Sequence, residues 1–166
     1  MGYPIRRITA EEVDEALSLV MEVFMEFEAP DYGPDGVKTF QNMVEDADFV
    51  RRCREGRRPL YAAFDGDKII AVMGMRENEA HINLVFTKKE YHHRGIATAL
   101  FEFLKKDILT ANPNVGEITL NASPYGKGFY LHLGFVPLSE EREDNGIRYT
   151  PMKYSIDHAA NLASSK

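Results

Sequence analysis

The sequence has one cysteine among its 166 residues, no tryptophan, and no apolar run long enough to cross a membrane. A single cysteine excludes an internal disulfide framework and a cysteine-based zinc site. The first residues lack the apolar stretch of a secretory signal and the serine or threonine of a myristoylation signal. Hydrophobic residues make up 44% of the chain, too many for a disordered protein. These features predict a soluble, cytoplasmic protein with one domain over residues 1–156 and a polar tail over 157–166.

Charge is distributed unevenly along the chain. The net charge is −6, but residues 1–50 carry three basic and twelve acidic side chains, whereas residues 51–166 have a net charge of +3. The acidic average disfavours a general nucleic-acid-binding protein, and neither nucleic acid nor a membrane is an expected partner. Five arginines do lie within Arg51–Arg58, but no aromatic residue among them could stack on bases. Arginines at a helix C-terminus are also favoured by the helix dipole, so this cluster is at least as consistent with a structural role.

Hydrophobic periodicity predicts helices first and a hairpin next. Thr9 to Glu12 fit a capping box, and the apolar stripe that follows at helical spacing should end before Pro30. A second helical stretch is predicted over much of 35–55. Strands are predicted over 60–64 and 68–75, joined by an Asp-Gly-Asp turn.

Strands and helices then alternate. A strand over 81–87 precedes a helix that begins after Gly95 and ends near Ala111. Further strands are predicted over 118–121, 135–138 and 147–154, with a short helix ending at Leu133 and a polar hairpin from Ser139 to Gly146. The longer helix is predicted to bury one face, formed by Ile96, Leu100, Phe103, Leu104 and Ile108. The order predicts an α/β domain with a mixed sheet, in which the strands of the 81–121 unit are parallel neighbours.

The most informative segment is the strand, turn and helix start from Leu84 to Leu100. Gly95 allows the backbone to approach a ligand closely, and the first N–H groups of the following helix lack partners inside it. Lys88, Lys89 and Arg94 add positive charge. The segment contains neither a Walker A loop nor the three spaced glycines of a dinucleotide-binding turn. These residues therefore predict an anion-binding helix N-terminus, suited to phosphate.

Two motifs in this half of the chain resemble a known family. His92-His-Arg-Gly-Ile-Ala97 is similar to Gln/Arg-x-x-Gly-x-Gly/Ala, the pyrophosphate-binding signature of GCN5-related N-acetyltransferases, with His92 in place of the usual Gln or Arg. Asn121 to Phe135 resembles the family's fifth strand and fourth helix, which end in Tyr-x-x-x-Gly-Phe. Ile147 to Met152 resembles the closing strand of many bacterial members. The order of elements from Thr9 to Ile156 also fits, so the resemblance covers nearly the whole chain.

The resemblance implies an acyl-CoA N-acyltransferase fold: a single domain with a central mixed, mostly antiparallel sheet flanked by helices. It implies transfer of an acetyl group from acetyl-CoA to a primary amine of a small or amino-acid-like compound, with no metal. Strand backbone at Val85, Phe86 and Thr87 would hold the pantetheine arm, residues 92–98 would hold the pyrophosphate, and Asn121 would face the arm. The expected cofactor-binding residues are Val85, Phe86, Thr87, His92, His93, Arg94, Gly95, Ile96, Ala97, Thr98 and Asn121.

The same resemblance implies that Tyr130 is a general acid that protonates the departing thiolate. Packing of the short helix against the sheet is the alternative role for Tyr130, and Tyr125 is a weaker candidate for the acid. No residue is assigned as the general base, although His81 and Glu79 lie where the family sometimes supplies one. Acceptors in the family bind near the loop between the first two helices, which makes Glu26, Glu28 and Tyr32 the expected substrate-binding residues. The carboxylates favour a cationic acceptor.

Three interpretations of the function stay open on the sequence alone. In the first, the acceptor is an amine of a small molecule. In the second, it is a protein lysine or N-terminus. In a third, the protein is a non-catalytic acyl-CoA-binding sensor or interaction module, because His92 departs from the signature and no base is assigned. Homodimers are common in the family, and the sequence does not decide the oligomeric state.

Overall fold

A computed structural model describes residues 2–157, and within that range eight strands pair in one mixed sheet. Seven of them have the spatial order β1-β2-β3-β4-β5-β8-β6, and β7 pairs with the remaining length of β8. The strands are β1 (Ile5–Arg7), β2 (Leu60–Asp65), β3 (Lys68–Met75), β4 (His81–Thr87), β5 (Glu117–Ala122), β6 (Val136–Pro137), β7 (Arg142–Asp144) and β8 (Ile147–Ser155). All pairs are antiparallel except β4 and β5.

Helices cover both faces of this sheet. They are α1 (Val13–Val23), α2 (Pro34–Glu45), α3 (Ala47–Arg54), α4 (Ile96–Ala111) and α5 (Lys127–Leu133). The first three helices pack on one face, against Leu60, Ala62 and Phe64 of β2, while α4 packs on the other, against Tyr61 and Ala63. Because successive strand residues point to opposite faces, strands covered on both sides are apolar throughout. β2 and β3 are therefore continuous apolar runs.

The structure confirms the mixed α/β fold and the predicted parallel pairing of β4 with β5. The strands predicted over 68–75 and 81–87 have the observed bounds, and α4 ends at Ala111 as expected. The prediction that helices come first is wrong, because β1 precedes them and pairs with β2. Three residues are too few to display an alternating pattern. The predicted polar hairpin also contains a strand, β7.

The structure differs from the predicted helices at two boundaries and on one buried face. The stretch over 35–55 is two helices, separated at Asp46, whose carboxylate caps α3 by accepting from the Phe49 N–H at 2.9 Å. The first helix does not stop before Pro30. It continues as a π-helical turn (Phe24–Glu28) and a 3₁₀ turn (Ala29–Asp31), where a proline near the start loses no hydrogen bond. On α4, Phe103 is 37% exposed and Phe101 is buried instead.

Arginines in the Arg51–Arg58 cluster are engaged with neighbouring groups. Arg52 and Arg57 both pair with Glu77, and Arg54 pairs with Asp14 at 2.7 Å. The Arg58 guanidinium lies 4.9 Å from the centre of the Phe49 ring. These contacts join α3 and the residues after it to α1 and to the turn after β3, and they support the structural interpretation of the cluster.

Two further sequence predictions concern the polar C-terminal tail and the lack of a membrane-spanning segment. The predicted polar tail lies outside the described residues, except for Asp157. Within residues 2–157, no helix is both long and apolar enough to span a bilayer.

Candidate active site at the split between two strands

The candidate site lies where β4 and β5 separate. These parallel strands pair only at His81 with Thr119 and at Ile82 with Leu120, and β4 then continues to Thr87 without β5 beside it. On its other side β4 stays paired with β3. The split leaves one edge of β4 open in the middle of the sheet, where an unpaired strand edge offers backbone donors and acceptors to a ligand.

The register with β3 decides which backbone groups face this opening. The Lys88 N–H donates to the Ile70 C=O at 2.9 Å, so the backbone groups of Lys88 face β3. Because these groups alternate along a strand, Val85 and Thr87 direct their N–H and C=O groups away from β3 and into the split. Phe86, opposite Val72, directs its backbone groups to β3. The backbone contacts expected of Phe86 are therefore already made within the sheet.

A cavity of about 670 Å³ lies between β4, the start of α4, and α5; we call it the α4 cavity. Ten of the predicted site residues line it: Val85, Phe86, Thr87, His92, His93, Gly95, Ile96, Ala97, Thr98 and Tyr130. Glu28, which was predicted to bind the acceptor, also lines it. Gly95 immediately precedes α4 with a φ of 76°, in the left-handed region that glycine tolerates best. The first bond of the helix runs from the Ala99 N–H to the Gly95 C=O, so the preceding amides have no acceptor inside the helix.

The two signature side chains that sequence analysis singled out have different surroundings. His92 lines the α4 cavity, and its Nε2 lies 2.7 Å from the Thr87 C=O. A carbonyl only accepts, so this nitrogen carries the proton and donates. Arg94 does not line the α4 cavity. Its guanidinium donates to the Tyr3 hydroxyl at 2.8 Å and lies over the Tyr91 ring. Arg94 therefore joins the N-terminal segment to the turn before α4.

A second cavity of about 390 Å³ lies on the other side of the split; we call it the hairpin cavity because β7 and β8 form one wall. A second wall, in contact with the first, comes from α2 and the π-helical turn, through Phe24, Thr39 and Phe40. Predicted residues Glu28, Tyr32 and Asn121 line it. Glu26 lines neither cavity and lies on the exterior, 3.5 Å from the Lys89 ammonium.

The two cavities meet at a neck formed by residues that line both. These residues are Glu28, Val85, Phe86, Ser123 and Tyr130. Burial raises the pKa of the Tyr130 hydroxyl above its ordinary value, and the charges of Glu28 and Tyr32 raise it further. Burial also raises the pKa of Glu28 to about 7, against the opposing effect of the Ser123 hydroxyl, and Asp31 adds to the rise. The neck thus holds a protonated phenol beside a carboxyl that titrates near neutrality.

Two further polar residues of β4 line the hairpin cavity. Burial lowers the pKa of His81 to about 4, with a smaller contribution from Arg76, and its Nδ1 lies 2.8 Å from the Thr119 hydroxyl. Asn83 Oδ1 is buried and has no hydrogen-bond partner among the described residues. A buried carbonyl oxygen without a donor is costly, and in native proteins such atoms are rare.

Sequence analysis missed several lining residues. Thr39, Asn83, Ser123 and Asn145 were not among the predicted site residues, although all four line the hairpin cavity. They come from four segments that are distant in sequence, and no local motif connects them. Among the described residues, no group of three or more histidine, cysteine or acidic side chains is arranged to hold a metal ion.

Comparison with known proteins identifies the family. A sequence model described as an acetyltransferase (GNAT) domain matches residues 28–156. That match covers most of the chain, and the protein therefore belongs to the GNAT family of acetyltransferases. A search of curated proteins gives no significant match.

Solved structures agree with the family at the level of fold. The chain is similar to a GCN5-related N-acetyltransferase from Rhodopseudomonas palustris, with a TM-score of 0.78, 18% identity, and coverage of 94% of this chain and 97% of that one. It is also similar to the PaiA N-acetyltransferase from Thermoplasma acidophilum in complex with coenzyme A, with a TM-score of 0.71, 17% identity, and coverage of 94% and 100%. An aminoglycoside 6′-N-acetyltransferase complexed with coenzyme A has a TM-score of 0.60, 14% identity, and coverage of 93% and 97%.

Proposed function

We propose that the protein transfers an acetyl group from acetyl-CoA to the primary amine of a small molecule, with Tyr130 as general acid. One observation carries this proposal: a cavity beside an open strand edge and a helix N-terminus joins a second cavity at Tyr130, and both polar and apolar side chains line that second cavity. A donor and an acceptor that entered from opposite sides would meet there. Family membership and the coenzyme A bound in similar structures support the choice of donor.

Acetyl-CoA fits the chemistry of the α4 cavity. Val85 and Thr87 present backbone groups along the open edge of β4, as a strand added to a sheet edge requires. The amides at the start of α4 suit the pyrophosphate, because they lack partners in the helix and lie at its positive end. His92 already donates to the Thr87 C=O, so in this arrangement its Nε2 steadies the turn and the backbone amides are the donors available to phosphate.

Tyr130 is suited to the leaving group. When the amine forms its C–N bond to the acetyl carbon, the C–S bond breaks and the sulfur leaves as a thiolate. The Tyr130 hydroxyl lies at the neck and has a raised pKa, so it is protonated at neutral pH and can donate to that sulfur.

The test is thiol release from acetyl-CoA, measured with a panel of alkylamines, polyamines, amino acids and short peptides. We expect turnover with at least one small amine and a loss of about 10²-fold or more in kcat for Tyr130→Phe, the usual range for a lost general acid. Tyr154→Phe is the matched control, because its hydroxyl contacts Lys105 outside both cavities. Full activity of Tyr130→Phe would refute the acid role. Turnover with peptides alone would indicate a protein acetyltransferase, and coenzyme A binding without any turnover would indicate a sensor.

A further inference from the structure

The Glu28 carboxylate lies neither on the fully exposed protein surface nor in the apolar core. It lines both cavities at the neck, together with Tyr130 and Ser123. Within the described part of the chain, no lysine, arginine or histidine lies within ion-pair distance of its carboxylate. Carboxylates buried without a cation are costly, because burial penalises the charged form. The neck therefore has room, and an electrostatic preference, for a cation supplied from outside the chain.

The cations nearest to the hairpin cavity are engaged elsewhere. Arg76 lines this cavity but lies 3.6 Å from Glu79. Arg148 lies 3.0 Å from Glu141 and also donates to the Asp31 C=O at 3.3 Å. The other titratable groups around the neck are acids, phenols or a histidine: Asp31, Tyr32, His81, Tyr125, Tyr130 and Asp144. None of these neutralises Glu28 when it is ionised.

Asn83 provides an independent observation in the same cavity. Its Oδ1 is buried and lacks a donor among the described residues. A buried acceptor of this kind is usually satisfied by a protein group or by water, and at a binding site a ligand donor can serve. An ammonium has three N–H donors and no acceptor. One such group could give a hydrogen bond to Asn83 Oδ1 and another to Glu28.

We infer that Glu28 is the general base of this acetyltransferase, and that Glu28 and Asn83 Oδ1 together receive the ammonium group of a primary amine acceptor. This inference rests on the proposed function and specifies its acceptor. The substrate class is a compact alkyl ammonium compound, since the hairpin cavity has a volume of about 390 Å³.

The protons balance as follows. A protonated amine loses two protons when it becomes an amide N–H. The first passes to Glu28, which frees the nitrogen lone pair to form the C–N bond, and Glu28 gives this proton to solvent only after the sulfur has left. The second leaves the nitrogen as the C–S bond breaks, and it passes, directly or through water, to Tyr130, which has given its own proton to the sulfur. One proton is released per turnover.

Glu28 and Tyr130 would also act on each other. The negative charge of Glu28 is one cause of the raised pKa of Tyr130. When Glu28 accepts a proton from the amine, that charge disappears and the pKa of Tyr130 falls. Tyr130 therefore becomes a stronger acid at the step at which the leaving sulfur needs a proton.

The experiment is a pH profile of kcat/KM for an alkylamine acceptor in wild type, Glu28→Gln and Glu28→Asp. A base is active when ionised, so wild-type activity should be full above the pKa of Glu28, about 7, and fall tenfold per pH unit below it. Glu28→Gln should lose this acidic limb and about 10²-fold or more in rate, and Glu28→Asp should retain the limb with partial activity. A limb near pH 4 would assign the base to His81 and overturn the inference.

A second acceptor distinguishes removal of the amine proton by Glu28 from electrostatic attraction of the ammonium group to Glu28. A weakly basic amine of similar size, largely unprotonated at pH 7, needs no base before attack, so its rate should fall less than about tenfold in Glu28→Gln. Equal losses for both acceptors would overturn the inference. Glu22→Gln is the matched control, because Glu22 is exposed on α1 and lines neither cavity; its activity should stay within about twofold.

Two outcomes distinguish this inference from the proposed function. If the wild type turns over no amine, the proposed function fails. If the wild type is active and Glu28→Gln matches it, only the role of Glu28 fails. Asn83→Leu adds a measurement that does not depend on turnover: removing an unsatisfied buried oxygen should leave the free energy of unfolding unchanged or raise it. In the activity assay, the same substitution should raise KM for the alkylamine. A destabilised Asn83→Leu with an unchanged KM would contradict the proposed role of Asn83.

Discussion

The wall of the hairpin cavity depends on a close approach between two glycines, Gly36 on α2 and Gly146 in the β7–β8 turn. A Cβ atom on Gly36 would lie 2.2 Å from the Gly146 carbonyl oxygen, whereas ordinary contact begins at about 3.4 Å. Next to this contact, the Thr39 hydroxyl donates to the Asn145 C=O at 2.8 Å. Gly36→Ala must therefore push the hairpin away from α2 by more than 1 Å, because the opposing atoms are backbone and cannot rotate aside.

The size of the effect follows from three contributions. Overpacking against backbone is expected to cost about 3 kcal/mol, the upper end of the usual range, and loss of the Thr39–Asn145 hydrogen bond about 1 kcal/mol. Alanine is favoured over glycine inside a helix by about 1 kcal/mol, which offsets part of this cost. We expect a net loss of about 2–3 kcal/mol in the free energy of unfolding. For a chain of this size that is a fall in Tm of about 4–12 °C.

Urea denaturation of Gly36→Ala and of a matched control, Gly116→Ala, measures this loss. A Cβ on Gly116 would meet nothing within 4 Å, so that variant should stay within about 0.5 kcal/mol of wild type. Under the proposed function, displacement of the hairpin should also raise KM for the acceptor in Gly36→Ala and leave coenzyme A affinity unchanged, because β7 and β8 do not line the α4 cavity. Equal stability of the two variants would refute the reasoning.

Two further predictions concern single groups outside the cavities. The pKa of Glu12 is lowered to about 2, mainly by the hydrogen bonds it accepts from Arg6 and then by the one from the Thr9 N–H. The stability that this carboxylate provides is therefore present above its unfolded pKa of about 4.5, and it is lost as the pH falls toward 2. Glu12→Gln should flatten the acid limb of unfolding free energy against pH; an unchanged slope between pH 4.5 and 2 would contradict this. Burial raises the pKa of the Cys53 thiol to about 11, so a chromogenic disulfide reagent should label it at the rate of unfolding and not in the native state.

The part of the candidate site that could be predicted from the sequence is the part that is local in the chain. Residues 92–98 form one turn and the start of one helix, so their spacing alone brings the Gly95 turn and the free amides of α4 together. Arg94 shows the limit of this reasoning. Its motif position predicts a ligand contact, but Tyr3, far away in sequence, lies within hydrogen-bonding distance of its guanidinium.

Side-chain burial on α4 shows a second limit. Phe101 and Phe103 lie at opposite edges of the stripe formed by Ile96, Leu100, Leu104 and Ile108, so periodicity does not distinguish them. The distinction comes from partners that are distant in sequence. The Phe101 ring packs 5.3 Å from the Phe135 ring, and that contact buries it. Tertiary contacts therefore decide the edges of a helical stripe, while the sequence pattern decides its centre.

Glu28 shows both limits, although its position in the sequence already marks it as unusual. The apolar stripe of the first helix runs through Leu17, Val20 and Phe24, and the next position at helical spacing is Glu28. A carboxylate on a buried stripe is an exception to the apolar pattern and deserves a chemical explanation. What the spacing does not predict is the π-helical turn, in which the Ala29 N–H donates to the Phe24 C=O.

The hydrogen bond of the π-helical turn spans five residues, one more than in an α-helix. The buried residue that follows Phe24 is therefore Ala29, five positions later. Glu28 then lines the neck, where Ser123 and Tyr130 from the segment after β5 are its neighbours. Burial raises its pKa, and no pattern within residues 24–31 shows that these distant segments lie beside it. An acidic residue on an apolar stripe therefore identifies the candidate, but only the fold brings it to the phenol with which it would share the chemistry.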